Sequence, residues 1–289
     1  MSWQESVEQL LSNKTGAPVQ ILNRSSVGGG SINAAYRLET TAGLFFTKVN
    51  SASRYPHMFE KEALGLQLLG HAGVISVPEV IDSGESGPDA FLVLKYIESK
   101  REAPNFWEDF GIRLARLHRQ SEKEFGLDHD NYIGSLPQSN RKHKTWSEFF
   151  IQERLKPLAK MAFEGHLLDN RDLHSLENFE RQVDEIFPNE PPALIHGDLW
   201  SGNFMVNEEG TAVIIDPAVY FGHREMDLGM SQLFGGFHSR FYEAYHREYP
   251  LAPGWQKRLD YCNLYPLLVH VNLFGGGYVG SFRSILRSF

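Results

Sequence analysis

Hydrophobic residues in the first hundred positions fall into short runs separated by turn residues. Val19-Gln20-Ile21-Leu22, Ala35-Tyr36-Arg37-Leu38-Glu39 and Leu44-Phe45-Phe46-Thr47-Lys48-Val49 read as β-strands, with Gly28-Gly29-Gly30 between the first two. A helix follows over Met58 to Leu69, and another strand at Phe91-Leu92-Val93-Leu94. This succession predicts a small antiparallel sheet carrying one helix. The polar run Glu98-Ser99-Lys100-Arg101-Glu102 ends it and sets a domain boundary, 1–97 against 98–289. Beyond the boundary the period changes. Phe106, Phe110, Leu114 and Leu117 recur at helical steps, as do Phe149, Phe150 and Ile151 with Leu155 and Leu158. One β-rich island, residues 193–216, interrupts this mainly helical part. The fold class expected is α+β.

Composition narrows the functions open to the chain. Its 289 residues, 42% hydrophobic and 22% charged, accommodate two globular lobes and exclude a disordered or fibrous protein. The formal net charge of −8 argues against nucleic acid as a partner. The basic run Arg141-Lys142-His143-Lys144 is the local exception and reads as a solvated loop. Cys262 is the single cysteine, so no intrachain disulfide is possible. Met1-Ser2-Trp3-Gln4-Glu5-Ser6 has neither the basic nor the apolar part of a signal peptide, and no window reaches the ~18 apolar residues of a membrane span. The expectation is a cytoplasmic protein without a membrane partner.

Candidate chemistry is concentrated in the island. It reads Ala193-Leu194-Ile195-His196-Gly197-Asp198-Leu199-Trp200-Ser201-Gly202-Asn203, followed by two apolar triplets around Glu209-Gly210 and then Asp216. A hairpin centred on that turn sets Asn203 opposite Asp216, with Asp198 just before. Two carboxylates and an amide at one point are what phosphoryl transfer from ATP requires. One carboxylate accepts a hydroxyl proton, and oxygen ligands hold Mg²⁺ against the phosphates. His196-x-Asp198-Leu199-x-x-x-Asn203 matches the kinase catalytic loop, with Gly197 in place of arginine, and Asp216 takes the place of the metal-binding aspartate. The bland alternative is an acidic surface hairpin.

Other parts of a kinase site stand upstream in the expected order. Gly28-Gly29-Gly30-Ser31 can bring backbone N–H groups close to phosphates, although alone it could be a flexible turn. Lys48 follows on the next strand as a point charge for the α- and β-phosphates. Phe59, Glu62, Leu66 and Leu69 share one helix face, which puts an acid on an apolar stripe as counter-charge for Lys48. Together these predict a two-lobed protein-kinase-like fold with a catalytic β-hairpin in the larger lobe. Gly275-x-Gly277-x-x-Gly280 imitates a dinucleotide fingerprint, but too little chain follows for a βαβ unit, and no P-loop motif occurs. The histidines lack zinc spacing. His196 reads as a structural residue of the loop, and His118, His238 and His270 carry no signal.

The chain resembles the fructosamine kinase (ketosamine-3-kinase) family of the aminoglycoside-phosphotransferase-like and protein-kinase-like enzymes, over almost its whole length. The resemblance rests on Gly28-Gly29-Gly30-Ser31-Ile32-Asn33, Met58-Phe59-Glu60-Lys61-Glu62-Ala63 and His196-Gly197-Asp198-Leu199-Trp200-Ser201-Gly202-Asn203. It extends to Asp216-Pro217-Ala218-Val219-Tyr220-Phe221-Gly222-His223-Arg224-Glu225-Met226-Asp227-Leu228, Phe234-Gly235-Gly236-Phe237 and Asn272-Leu273-Phe274-Gly275-Gly276-Gly277-Tyr278. It implies ATP-dependent phosphorylation of the 3-hydroxyl of ketosamines, free or protein-linked, which makes the adduct labile and serves deglycation. It further implies Asp198 as proton acceptor, Asn203 and Asp216 as Mg²⁺ ligands, and Lys48 with Glu62 as the phosphate anchor. Leu94-Lys95-Tyr96 become an adenine-binding hinge, and Trp200, His223, Glu225 and Asp227 line the acceptor pocket. Lys95 departs from the acid expected in the hinge. Ser31 replaces a cysteine found in some relatives, and Pro217-Ala218 follow Asp216 where protein kinases have Phe-Gly. A kinase for an aminoglycoside or amino alcohol is the alternative enzyme, and a catalytically dead nucleotide-binding scaffold the alternative class. The sequence leaves the sugar, its carrier and the oligomeric state open.

Overall fold

The computed structural model describes residues 1–28, 32–287 and 289. They form two compact units, one of residues 1–103 with 205–215 and one of 104–204 with 216–289. The division therefore does not fall at 97/98. The polar run is not a linker: Lys100 N–H donates to the Val206 carbonyl at 3.0 Å and Ala103 N–H to that of Gly210 at 3.1 Å. Both bonds tie residues 98–103 to the returning hairpin segment of the first unit.

The first unit opens with a helix the strand pattern does not reveal, α1 (Trp3–Thr15), started by a Ser2–Glu5 capping box. Then come β1 (Ile21–Ser26), β2 (Ala34–Thr40), β3 (Gly43–Ser51), α2 (Met58–His71), β4 (Val80–Ser86) and β5 (Asp89–Lys95). The strands form an antiparallel sheet in the order β1-β2-β3-β5-β4. Strand β4 escapes sequence reading because Asp82-Ser83-Gly84-Glu85-Ser86 has no apolar alternation. Period-two alternation decides what each face of the sheet meets. Phe91 and Val93 of β5, with Phe45 and Val49 of β3, pack on Trp3, Val7 and Leu11 of α1. Ala90, Leu92 and Leu94 pack on Phe59, Ala63 and Leu66 of α2. Lys48 lies between Phe45 and Val49 in register and so belongs to the α2 face.

The second unit is mainly helical. Its elements begin with α3 (Phe106–Leu117), β6 (Asn131–Ile133), β7 (Leu136–Gln138) and α4 (Trp146–Phe149). The π-helical turn Phe150–Leu155 leads to α5 (Lys156–Glu164), α6 (Asn170–Glu180), α7 (Val183–Ile186) and β8 (Ala193–Ile195). The hairpin β9 (Phe204–Val206) and β10 (Ala212–Ile214) follows in the chain and, apart from Phe204, groups with the first unit. Then come β11 (Tyr220–Gly222), α8 (Glu225–Leu233), α9 (Ser239–Glu248), α10 (Trp255–Cys262), α11 (Leu264–Phe274) and α12 (Val279–Leu286). Strands β8 and β11 pair antiparallel, Ile195 facing Tyr220, and so hold the segment before Asp198 beside the one after Asp216. Phe110 of α3 anchors an aromatic core, its ring 5.4 Å from Phe204 and 5.2 Å from Phe241.

Two loop readings resolve here. The basic run is an exposed loop, as expected, pinned by ion pairs: Arg141 and His143 both bond to Glu153, at 2.7 Å each, and Lys142 pairs with Asp128. Gly275 to Tyr278 form the turn from α11 into α12, which includes the 3-10 turn Gly276–Tyr278, and Gly280 lies in the first turn of α12; helix α11, not a strand, precedes the glycines. Among the described residues no helix is long and apolar enough to cross a membrane.

Candidate active site

The loop from β8 to β9 carries His196 to Asn203, and backbone geometry dictates its shape. Gly197 has φ +83°, and a Cβ there would stand 2.1 Å from the Ala218 carbonyl oxygen. No larger residue fits, which accounts for glycine where the protein-kinase loop has arginine. Ala218 N–H in turn donates to the His196 carbonyl at 2.9 Å. From below, Asp227 in the first turn of α8 accepts the amides of His196 at 2.7 Å and Gly197 at 2.9 Å. Its Oδ2 also bonds to His118 Nε2 at 3.1 Å, and His118 Nδ1 to the Tyr245 hydroxyl at 2.7 Å. Burial pushes the Asp227 carboxyl up, but the His118 ring and His196 outweigh it and hold the group below the usual carboxylate range. His118 is thus a supporting residue that sequence reading missed. It lies 109 positions from its partner, outside any local motif.

Asn203 Nδ2 donates to both the Asp198 carbonyl, at 2.8 Å, and Asp198 Oδ2, at 2.9 Å. Burial pushes the Asp198 carboxyl up to about 7 against the Asn203 hydrogen bond, and the negative charges of Asp216 and Asp227 add to the rise. Asp216 has a left-handed backbone, φ +55°, which strains a non-glycine residue by ~1–3 kcal/mol. The turn corrects the expected register. Asn207 N–H donates to the Thr211 carbonyl at 3.0 Å across Glu208-Glu209-Gly210, with Gly210 left-handed, so the pairing is one residue off. The turn therefore does not itself set Asn203 opposite Asp216. The donor set still fits a hard dication. Asn203 spends its amide nitrogen on Asp198 while its Oδ1 takes no hydrogen bond among the described residues, and the repulsion between Asp198 and Asp216 is what a cation would relieve. Among the described residues no three His, Cys, Asp or Glu side chains form a metal cluster.

A recess opens at Asp198, walled by Gly197, Ile133, Met226, Tyr265, Pro266 and His270. His270 is a wall residue without any sequence signal. Its Nδ1 bonds to the Pro266 carbonyl at 2.8 Å, and burial lowers its pKa, which favours the neutral ring. Trp200 lies over Gly202, where a Cβ would stand 2.4 Å from the indole. Its ring meets Phe234 edge-on at 6.1 Å, and Phe234 meets His270 at 4.6 Å. None of the four residues expected to line the acceptor pocket lines this recess: Trp200 packs over Gly202, and the start of α8 is interior. His223 is buried against Phe187, with centroids 5.2 Å apart. Glu225 is buried in a two-point ion pair with Arg258, at 2.6 and 2.8 Å. Asp227 holds the loop from beneath.

In the first unit Lys48 Nζ meets Glu62 Oε1 at 2.7 Å, with side chains only 7% and 11% exposed. The pairing expected from the apolar stripe is present. Gly28 is exposed, whereas Gly29, Gly30 and Ser31 lie outside the described residues. At the end of β5, Leu94 is buried. Lys95 N–H donates to the Glu79 carbonyl at 2.9 Å and Tyr96 N–H to that of Leu44 at 3.3 Å, so both amides are taken up within the sheet.

Comparison with known proteins gives a consistent answer. A family model described as fructosamine kinase matches residues 2–289. A Synechocystis protein named as a ketoamine kinase is 39% identical over 99% of this chain and 96% of its own. The chloroplastic protein-ribulosamine 3-kinase of Arabidopsis thaliana is 39% identical over 95% of this chain and 84% of its own. A crystal structure of a Thermobifida fusca protein named as a fructosamine-3-kinase superposes with a TM-score of 0.88 at 36% identity, covering 98% of both chains. An aminoglycoside phosphotransferase shares the fold, with a TM-score of 0.62 at 16% identity over 98% of both chains.

Proposed function

The chain belongs to the fructosamine kinase family, and we propose that it transfers the γ-phosphoryl group of ATP to a sugar hydroxyl, the 3-hydroxyl, of ketosamines such as fructosamine or ribulosamine adducts. The observation that carries this reading is Asp198: a carboxyl pushed up to about 7, held by Asn203 at 2.9 Å and facing a recess walled by Ile133, Met226, Tyr265 and His270. A base with that affinity can take a proton near neutral pH.

Asp198 accepts the proton of the acceptor hydroxyl as its oxygen attacks the γ-phosphorus, and the bond to the leaving ADP oxygen breaks. Asn203 keeps the carboxylate aimed through its amide nitrogen. Asn203 Oδ1 and Asp216 would hold Mg²⁺, which when bound would neutralise negative charge on the phosphates. Lys48, oriented by Glu62, holds the α- and β-phosphates, and Gly28 to Ser31 are assigned the backbone N–H contacts to them. Leu94 to Tyr96 border the adenine, through carbonyl oxygens or neighbouring amides, since two of their own amides are engaged. Trp200 offers an aromatic face to the sugar, and neutral His270 an acceptor nitrogen. His223, Glu225 and Asp227 support the loop and α8 from inside. The phosphorylated adduct is labile, which assigns the protein to deglycation of small or protein-linked adducts.

ATP turnover against a panel of synthetic ketosamines, kanamycin-type acceptors and choline tests the reading. The expected result is a preference for a fructose- or ribulose-lysine derivative in kcat/KM. Equal or better turnover of an aminoglycoside or choline would overturn the substrate while leaving the kinase.

A further inference from the structure

Behind the recess, a chain of buried amides ends on a buried cation. Arg154, in the π-helical turn, is fully buried and has no carboxylate partner among the described residues. Its guanidinium lies 4.0 Å over the Tyr220 ring and 4.5 Å from that of Phe149. A lone cation in the interior is expensive to desolvate, and π-helical turns concentrate at functional sites.

A guanidinium can only donate, so it fixes the sense of every bond beyond it. Arg154 Nη2 donates to Asn140 Oδ1 at 2.7 Å. Asn140 Nδ2 must then point the other way, and it donates to Asn131 Oδ1 at 2.9 Å. The same oxygen takes Gln138 Nε2 at 2.7 Å, while Asn131 Nδ2 donates to the Val219 carbonyl at 2.8 Å. Gln138 Nε2 also reaches the Ala218 carbonyl at 3.2 Å. That leaves Gln138 Oε1 as an acceptor only, and it takes the hydroxyl hydrogen of Tyr265. Tyr265 walls the recess at Asp198. Its hydrogen is committed inward, so what it can offer the recess is an oxygen lone pair.

We propose that Tyr265 is a specificity-determining residue whose oxygen accepts a hydrogen bond from a second hydroxyl of the acceptor, and that Arg154, Asn140, Asn131 and Gln138 are positioning residues that impose this polarity. The proposal rests on the kinase reading of the recess. It adds that the acceptor must be a polyol, with a donor hydroxyl near the one Asp198 deprotonates. Burial and the Asp198 charge keep the phenol protonated, pushing its pKa far up, so the polarity persists across the working pH range. The relay also grips Ala218 and Val219, the backbone just after Asp216, so recess and metal-side loop share one support.

The test is a double-mutant cycle on Tyr265→Phe and Gln138→Met, read as acceptor KM, ATP KM, kcat and melting temperature. Tyr265→Phe should lower acceptor kcat/KM about tenfold, the size of one neutral hydrogen bond, with ATP KM within about twofold. Gln138→Met should lower it in the wild-type background and add little to Tyr265→Phe. An acceptor analogue lacking the neighbouring hydroxyl should lose the difference between wild type and Tyr265→Phe. An unchanged acceptor kcat/KM in Tyr265→Phe overturns the proposal, as does a Gln138→Met effect that persists in full without the phenol oxygen. Tyr265→Phe removes a single oxygen and decides the matter even where Gln138→Met fails to fold. Wild-type turnover of ketosamines tests the substrate reading; the variant ratio, taken on whichever hydroxyl acceptor is turned over, tests the relay separately.

Discussion

Asp227 Oδ2 accepts the backbone amide of His196 at 2.7 Å, across 31 residues of chain, and so fixes the loop that carries Asp198 from beneath. The same carboxylate takes Gly197 and His118, so three donors converge on one charge. Asp227→Asn keeps the shape but turns an amide N–H towards a donor. It should lower stability by about 1–3 kcal/mol, measured by denaturant unfolding, and lower kcat with it. The loss should depend on pH. Folding holds this carboxyl below its usual range, so its contribution is complete above the unfolded value of about 3.9 and fades as pH falls through the lower folded value. The wild-type minus variant stability should therefore be flat near neutrality and vanish in strong acid. A difference that grew on acidification would contradict the assignment.

Asp198→Asn should leave ATP affinity nearly intact and lower kcat by about 10²–10⁴, the usual contribution of a general base. The amide is isosteric, and the bond from Asn203 Nδ2 to the Asp198 carbonyl remains. Nucleotide binding by calorimetry, set beside steady-state turnover, separates the two effects. Retention of more than half the wild-type kcat would remove Asp198 from the mechanism.

Much of this was legible in the sequence because it is local. The alternation of Phe91, Leu92, Val93 and Leu94 encodes the two faces of β5, and the stripe Phe59-Glu62-Leu66 encodes the Lys48–Glu62 pair. The motif His196 to Asn203 announces its own chemistry. What escaped depends on tertiary approach. Strand β4 is polar and exists because β5 pairs with it. Helix α1 carried a readable Ser2–Glu5 capping box, a signal that strand reading passed over. His223, Glu225 and Asp227 look like acceptor ligands in a charged run, yet Arg258, 33 residues on, neutralises Glu225 inside the fold. Likewise, no local pattern announces that Tyr265 donates its hydroxyl hydrogen to Gln138, 127 positions away.

Asp216→Ala should abolish turnover at saturating ATP, and Asn203→Ala should raise the Mg²⁺ concentration needed for half-maximal rate. The first removes the left-handed carboxylate, and the second removes the one amide oxygen near Asp198 that takes no hydrogen bond among the described residues. A Mg²⁺ titration of rate at fixed ATP measures both. The apparent metal requirement, not only kcat, must move in Asn203→Ala. If half-saturation by Mg²⁺ stayed at the wild-type value while kcat fell, Asn203 would be an aligner of Asp198 and not a ligand.

Lys48 and Glu62 offer the sharpest separation between binding and folding, because their pair is nearly buried, at 7% and 11% exposure. Removing Glu62 takes from a nearly buried ammonium the counter-charge held at 2.7 Å, whereas replacing both partners of a buried pair with apolar residues is often close to neutral. Glu62→Leu should therefore destabilise the protein more than the double variant Lys48→Met with Glu62→Leu does. Activity should follow the opposite rule. Both the Lys48→Met single and the double variant should lose turnover, since neither presents an ammonium to the phosphates. Melting temperature and kcat measured on all four proteins give the two cycles independently. Stability recovering in the double variant while turnover does not is the expected pattern. Turnover recovering along with stability would make the pair a purely structural contact between β3 and α2 and would leave the phosphate anchor to be sought elsewhere.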